Sequence, residues 1–383
     1  MSFRRLILAL ILIVSVCPAR AQDGTPVRLA LDRLLAPKSK LDPEAIYQLA
    51  PRWNFALSGD ISHTNYSQEQ DFSLPFTRQD DQGETVVEYY PGSVSYNMDA
   101  GVVRSIGFQA GYGGLGLSFS KKLRGEGINS SFSFDYLSAG YALSVQLFNV
   151  SSPVEYNISL GEDHPEYLIP LSGMTKDPGK MRALIVDSFY ACNRRNFVYS
   201  AAYKGGILQR KSSGSWIFGI KVFMEEFGID PSEEIARLTS GFALQNCVQA
   251  SFGAGYSQNV VVFHRQPTGD REAHLRNLTL NFTAIPLVTL FNQFTSTAYT
   301  AEGGGYVPTL KSTVNGRPKF NYVYRAGLAY THGLLTFNLY ASNDKYSFTG
   351  VASAQADESK TKPINTTGLF SRQTVTLRLC KRF

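Results

Sequence analysis

Of the residues able to do chemistry, the five histidines, His63, His164, His264, His274 and His332, come first. A hydrolase built on a barrel needs a histidine beside a serine or carboxylate near its outer rim. His63, in His63-Thr64-Asn65-Tyr66-Ser67, fits that position, with Ser67 as the rim serine of a lipid hydrolase. No second half of a recognised catalytic pattern accompanies it, so the chain reads as a non-enzyme, with the lipid hydrolase as the alternative. Gly111-Tyr112-Gly113-Gly114-Leu115-Gly116 has the spacing of a dinucleotide fingerprint, but that site needs a helix after the turn, and a strand follows here. The glycines read as a hairpin turn. Gln79-Asp80-Asp81-Gln82-Gly83-Glu84 lacks the alternating ligands of a calcium loop and reads as a solvated acidic loop. Cys192, Cys247 and Cys380 show no C-x-x-C, so neither a zinc site nor a disulfide framework is indicated. No cofactor is implied.

The other chemistry-bearing residues are charges that recur on the polar side of alternating segments: Asp60, Asp135 and Glu225 against Lys221, Arg325, Arg378 and Arg382. An Arg or Lys facing lipid costs about 2–4 kcal/mol at the bilayer midplane, which assigns these side chains to a lumen. There they either line an aqueous path and set a solute preference, or neutralise one another in a small barrel that conducts nothing.

Strands must position these charges. In the C-terminal stretch Val375, Leu377, Leu379 and Phe383 share one face, and Thr374, Thr376, Arg378, Cys380 and Arg382 the other. Lys381 departs from the pattern on the apolar face, where it can snorkel to the interface. A terminal strand ending on an aromatic residue resembles that of bacterial outer-membrane barrels, in which Phe383 would serve as the membrane-insertion signal read by the barrel-assembly machinery. The same alternation begins at Trp53, Phe55, Leu57 and Ile61 and recurs at Ile106–Tyr112, Leu115–Phe119, Phe132–Tyr136, Leu143–Leu147, Trp216–Met224, Val248–Tyr256, Leu278–Ala284, Tyr322–Tyr330 and Leu335–Ala341. Met181–Tyr190 and Phe197–Tyr203 read as two further strands flanking a polar turn at Cys192–Asn196. A soluble sandwich would share the period. Small polar residues on the second face and aromatics at strand ends (Trp53, Tyr112, Trp216, Tyr256, Tyr330, Phe383) favour the membrane.

At the amino end, Arg4 and Arg5, the apolar run Leu6–Val16 and Ala19-Arg20-Ala21 read as a secretory signal peptide over residues 1–21. The run is short of the roughly 20 apolar residues of a membrane helix. Cys17 raises a lipoprotein signal, but Val16 stands where a small residue belongs. Residues 22–52 read as a periplasmic N-terminal segment and 53–383 as the barrel. Without Arg4, Arg5 and Arg20 the 37 cationic side chains become 34 against 31 acidic ones, a net +3 that gives no support for nucleic-acid binding.

The expected fold is all-β: a transmembrane up-and-down antiparallel barrel. The candidates number roughly 13, and a bacterial barrel with both termini on one side needs an even number, so about 12 strands are expected, with about 14 the alternative. Ser67–Gly92, Gln293–Lys319 and Ser347–Leu369 read as long surface loops. Ser151–Lys180 and Glu226–Asn246 are both long and cannot both be external under this count, so one strand between them is missed or invented.

Four segments together resemble a known family: Tyr90-Pro91-Gly92, the turn Asn193-Arg194-Arg195-Asn196-Phe197 leading to Ser200-Ala201-Ala202-Tyr203, Gln209-Arg210-Lys211-Ser212-Ser213-Gly214-Ser215-Trp216, and Gly253-Ala254-Gly255-Tyr256. They look like the uncharacterised Bacteroidetes outer-membrane proteins grouped as domain of unknown function 4421. The resemblance implies a barrel in the cell outer membrane, in contact with outer-membrane lipid, and brings no catalytic residue. The expected role is a pore for a small solute or a surface-exposed structural or interaction protein.

Overall fold

In Ser213–Gly228 every second side chain is buried: Trp216, Phe218 and Ile220 stand 62%, 43% and 54% exposed, while Ile217, Lys221, Phe223 and Phe227 between them are at 1% or less. One face of such a strand meets an apolar solvent and the other a packed interior. A computed structural model shows the same alternation in the long strands of the chain; it describes residues 41–49, 53–79, 82–124, 129–160, 171–203, 206–238, 242–265, 274–353 and 363–383. Residues 1–21, read above as a signal peptide, most of the 22–52 segment, the Asp80-Asp81 pair and residues 266–270 lie outside the described residues.

Twelve antiparallel strands close on themselves. They are β1 (Trp53–Gln79), β2 (Thr85–Tyr112), β3 (Leu115–Arg124), β4 (Asn129–Leu137), β5 (Tyr141–Ser152), β6 (Gly179–Ala191), β7 (Ser213–Gly228), β8 (Phe242–Arg265), β9 (Arg276–Glu302), β10 (Phe320–His332), β11 (Leu335–Ser353) and β12 (Pro363–Arg382). Each pairs with its neighbours in sequence, and β12 pairs with β1, which makes the barrel up-and-down. The Phe383 N–H donates to the Trp53 carbonyl at 2.9 Å and so ties the last residue to the first strand.

The connections sort by end. At the end holding Trp53 and Phe383 lie the Gly113–Gly114 turn, residues 138–140, residues 192–203 and 206–212, the end of β8 at Arg265 with the start of β9 at Arg276, and the turn at Gly333. The other described connections lie at the opposite end. The parity conflict resolves at Phe197–Tyr203, which is not a strand: Tyr199–Ala202 is a 3-10 turn, buried on all sides. An apolar run with no wet face, Phe197-Val198-Tyr199-Ser200-Ala201-Ala202, has the composition of a strand and the surroundings of a plug. With that strand removed, the connections that leave β5 after Ser152 and β7 after Gly228 start on the same outer side.

The three long loops expected from the sequence are mostly strand. β1 and β2 continue as one ladder to Gln79–Thr85, and β11 and β12 pair out to Ser353–Pro363. β9 runs to Glu302, turns at Gly303 and Gly304, and returns as the strand Gly305–Asn315. Those two glycines have φ of +59° and +84°, the left-handed conformation that a two-residue hairpin turn requires. Glu155–Leu160 adds to the outer part of β2, and Leu171–Met174 adds to that strand in turn. A short helix, α1 (Glu234–Leu238), sits in the outer connection after β7. The Glu233 carboxylate accepts the Asp177 N–H at 2.7 Å and joins that connection to 153–178. Nearby Asp230 accepts the N–H and hydroxyl of Ser232 at 2.9 and 2.7 Å, which holds its carboxyl below the usual range.

Outside, the apolar faces form a continuous belt: Trp53–Ile61 on β1, Leu335–Ala341 on β11 and Val375–Phe383 on β12. The runs on β1 and β12 reach the length of about 9–11 residues that a tilted strand takes to cross the hydrocarbon. Aromatics pair across strands at the terminal end: Trp53 with Tyr112 at 5.3 Å, Trp216 with Tyr256 at 5.7 Å, and Phe383 against Phe55 at 5.8 Å. Lys381 stands exposed over the Phe383 ring at 4.9 Å. No helix among the described residues is long and apolar enough to cross a membrane.

Inside, the outer half of the lumen is a hydrophobic core. Phe223 of β7 stacks on Tyr346 of β11 at 4.3 Å and meets Phe370 of β12 at 5.0 Å; Phe370 in turn meets Phe148 of β5 at 5.8 Å. Tyr66 of β1 packs on Phe227 at 4.8 Å, and Ile235 and Ala236 of α1 close the cluster from above. Rings from facing walls therefore touch across the barrel. Phe223→Ala should cost about 3–5 kcal/mol through the cavity it leaves. Urea unfolding of the refolded barrel, followed by the fluorescence of Trp53 and Trp216, tests this; a loss under about 1 kcal/mol would show that the ring layer is not packed.

Candidate functional site in the barrel lumen

Beneath the aromatic layer the inward positions turn polar. Lys221 of β7, 1% exposed, lies between two carboxylates: its ammonium is 3.3 Å from Asp187 of β6 and in hydrogen-bond contact with Asp344 of β11. Arg325 of β10 donates to the second oxygen of Asp187 at 2.6 Å and to the Tyr199 hydroxyl at 3.1 Å. The guanidinium also covers the Phe189 ring at 5.1 Å, and the Lys221 ammonium lies over Tyr346 at 4.8 Å. Two cations and two anions from four strands thus neutralise one another in the middle of the barrel. Arg372 of β12 stands beside them, over Phe148 at 4.5 Å and donating to Gln146 at 3.4 Å.

The remaining charges named from the sequence also face inward, at separate places. Asp60 accepts the Thr376 hydroxyl at 2.6 Å. Asp135 accepts Ser144 at 2.7 Å and Ser133 at 3.3 Å. Glu225 is buried among the outer rings, opposite Cys247 in the ladder. Arg378 donates to the Tyr203 carbonyl at 3.2 Å, and Arg382 is buried near the terminal end. Asp60, Arg372 and Arg378 line a cavity of about 130 Å³ whose other wall is serine: Ser58, Ser105, Ser118 and Ser133. The small inward side chains of β1–β4 leave that space open.

The terminal end of the lumen is filled by the 3-10 segment. Its backbone is satisfied by side chains instead of a ladder. The Gln209 amide accepts the Val198 N–H at 3.0 Å and donates to the carbonyls of Ala45 at 3.2 Å and Asn196 at 2.6 Å. Asn259 donates to the Val198 carbonyl at 2.8 Å. Tyr203 reaches across to Asn281. Below it, the short strands Ile46–Gln48 and Ile207–Gln209 pair in a separate two-stranded sheet. The lead-in before the barrel therefore helps to hold the plug.

Asp187, Asp344, Arg372 and Tyr199 escape the sequence reading for identifiable reasons. Met181–Tyr190 is apolar on both faces, so Asp187 could not be assigned to either. Asp344 and Arg372 simply continue the wet faces of β11 and β12 one or two steps beyond where the alternation was followed. Tyr199 lies in the false strand. His63 points out of the barrel, not into it. Its Nε2 is 2.8 Å from Asp99, whose carboxylate also accepts the Gly101 N–H at 2.7 Å at a bulge in β2. Ser67 lies four residues along the same face, about 13 Å away at strand rise, beyond hydrogen-bond reach. Cys192, Cys247 and Cys380 are free thiols, and no metal-ligating cluster occurs among the described residues.

Fold and lumen together define an up-and-down transmembrane barrel of twelve strands with a packed interior. The chain belongs to the family described as Domain of unknown function (DUF4421), whose model matches residues 67–266. A search of curated proteins returned no match. Among solved structures, the outer membrane protease OmpT of Escherichia coli aligns at 7% identity and a TM-score of 0.35, covering 86% of this chain and 97% of that one. The toluene transporter TodX of P. putida aligns at 9% identity and a TM-score of 0.17, covering 87% and 90%. The InvG secretin barrel of the Salmonella injectisome gives 7% and 0.13, covering 94% and 69%. At such scores these likenesses carry nothing about function.

The ionic cluster makes a sharp prediction. Lys221→Met should destabilise the barrel by about 3–5 kcal/mol, because two buried carboxylates lose their shared cation. Lys221→Met with Asp344→Asn should recover most of that loss, since Asp187 keeps Arg325. Urea midpoints of both variants decide it; equal losses would mean the pair acts only through volume.

Proposed function

We propose that this protein is a closed barrel of the outer membrane in a Bacteroidetes-type envelope, a scaffold that holds extended hairpins for contacts outside the cell. The observation that carries the reading is the filling of the lumen at three levels: rings from facing walls, the neutral Asp187–Lys221–Asp344–Arg325 cluster, and the buried 197–203 plug. A conducting path needs continuous water, and each of these levels replaces water with side chains. Export through a signal peptide at 1–21 and insertion read from the strand ending at Phe383 complete the route to that membrane. β1, β2 and β9 supply the outer surface. At 27, 28 and 27 residues they are far longer than the about 9–11 residues a membrane crossing takes.

Single-channel recording in planar bilayers tests the reading. Folded, heat-modifiable barrel should give no steady conductance, and neither should a variant with Arg325→Ser and Arg378→Ser. Steady conductance of the unaltered protein, with an ion preference that shifts in the variant, would make it a pore and overturn the scaffold.

A further inference from the structure

On the outer wall of β2 and β3 stands a group of cations that the lumen does not use. Going outward, β2 presents Phe108 and Ile106 and then Arg104; β3 presents Leu117 and Phe119 and then Lys121. In the ladder Ile106 faces Lys121, and Arg104 faces Arg124 after a register shift that passes over Leu123. Arg104, Lys121 and Arg124 are all exposed. Two guanidinium-bearing residues directly opposite each other destabilise a strand pair unless an anion sits between them. No carboxylate among the described residues pairs with any of the three. Val102 and Leu123, 60% and 69% exposed, stand further outward than Arg104 and Lys121, so the three cations follow directly on the apolar belt of Phe108, Ile106 and Phe119. That order matches the boundary between acyl chains and head groups: Phe108, Ile106 and Phe119 against hydrocarbon, the three cations against phosphate.

We propose that Arg104, Lys121 and Arg124 bind the phosphate groups of lipids in the outer leaflet. The lipid phosphate lies between the two guanidinium groups, relieves the Arg104–Arg124 repulsion and fixes the height of the barrel on this side. This presupposes the membrane placement given above, and the test separates the two. Barrel is reconstituted into phosphatidylcholine vesicles with and without lipid A, re-extracted in zwitterionic detergent, and its retained lipid is counted by native mass spectrometry. The unaltered protein should retain lipid A over phosphatidylcholine. The variant R104Q/K121Q/R124Q should bind it more weakly by about fivefold per charge removed, on the order of a hundredfold for three. Raising the salt should weaken the unaltered protein in the same direction. In lipid-free detergent the variant should melt no lower than the unaltered barrel, since only repulsion has been removed. Equal lipid A retention by protein and variant, or equal retention of phosphatidylcholine, would overturn the site while leaving the barrel's placement standing. A barrel that inserts into neither vesicle overturns the placement and the site with it.

Discussion

Hydrocarbon offers no partner for an N–H or a carbonyl, so a sheet that crosses it must have no edge. The pairing of Asn54–Gln70 on β1 with Thr366–Arg382 on β12 removes the last edge, and the rest of the molecule follows from that closure. Once the sheet is closed, every strand has an outside and an inside. Large apolar groups such as Phe218, Ile220, Leu377 and Leu379 can then face lipid at no cost, while Lys221, Asp187 and Arg378 have only one place to go. Closure also creates an interior that must be filled with something.

What fills it changes with level. The outer half is filled with rings in contact, the middle is a balanced set of charges, and the terminal end holds a piece of the chain itself. Buried ion pairs are weak sources of stability, because desolvation offsets most of the attraction. Their value here is geometric: Lys221 can satisfy Asp187 and Asp344 together only if β6, β7 and β11 stand at one register and one distance across the lumen. The plug is held by the same logic. Gln209, Asn259, Asn338 and Arg378 each spend a side-chain donor or acceptor on the backbone between Asn196 and Tyr203, so this connection is as fixed as a strand without belonging to the sheet.

A barrel filled in this way offers its outer surface more than its lumen. The same alternation that serves the membrane continues beyond it, where β1 with β2, and β9 with its return strand, rise as paired hairpins. Glu155–Leu160 and Leu171–Met174 widen that projecting sheet, and the Asp177–Glu233 hydrogen bond ties neighbouring connections together. The exterior just below is uneven in charge: His63 is matched by Asp99, whereas Arg104, Lys121 and Arg124 are matched by no carboxylate among the described residues.

Period two, aromatic strand ends and the terminal Phe383 were enough to read the barrel from the sequence alone, because a lipid-facing side and a lumen side impose their chemistry on each residue locally; the expected strand number of about 12 came instead from the even-number rule. The alternation likewise put Lys221, Arg325 and Arg378 on the wet side of their strands. Three decisions belonged to the tertiary structure. Phe197–Tyr203 looks like a strand locally, and only the lack of a free neighbour in a closed sheet makes it a plug. Segments rich in glycine and polar residues, Ser67–Gly92 and Gln293–Lys319, look like loops, and only pairing across long ladders makes them strands. Which inward charges meet depends on barrel register, a property of residues far apart in the chain. No local pattern could bring Asp187, Lys221, Arg325 and Asp344 to one point.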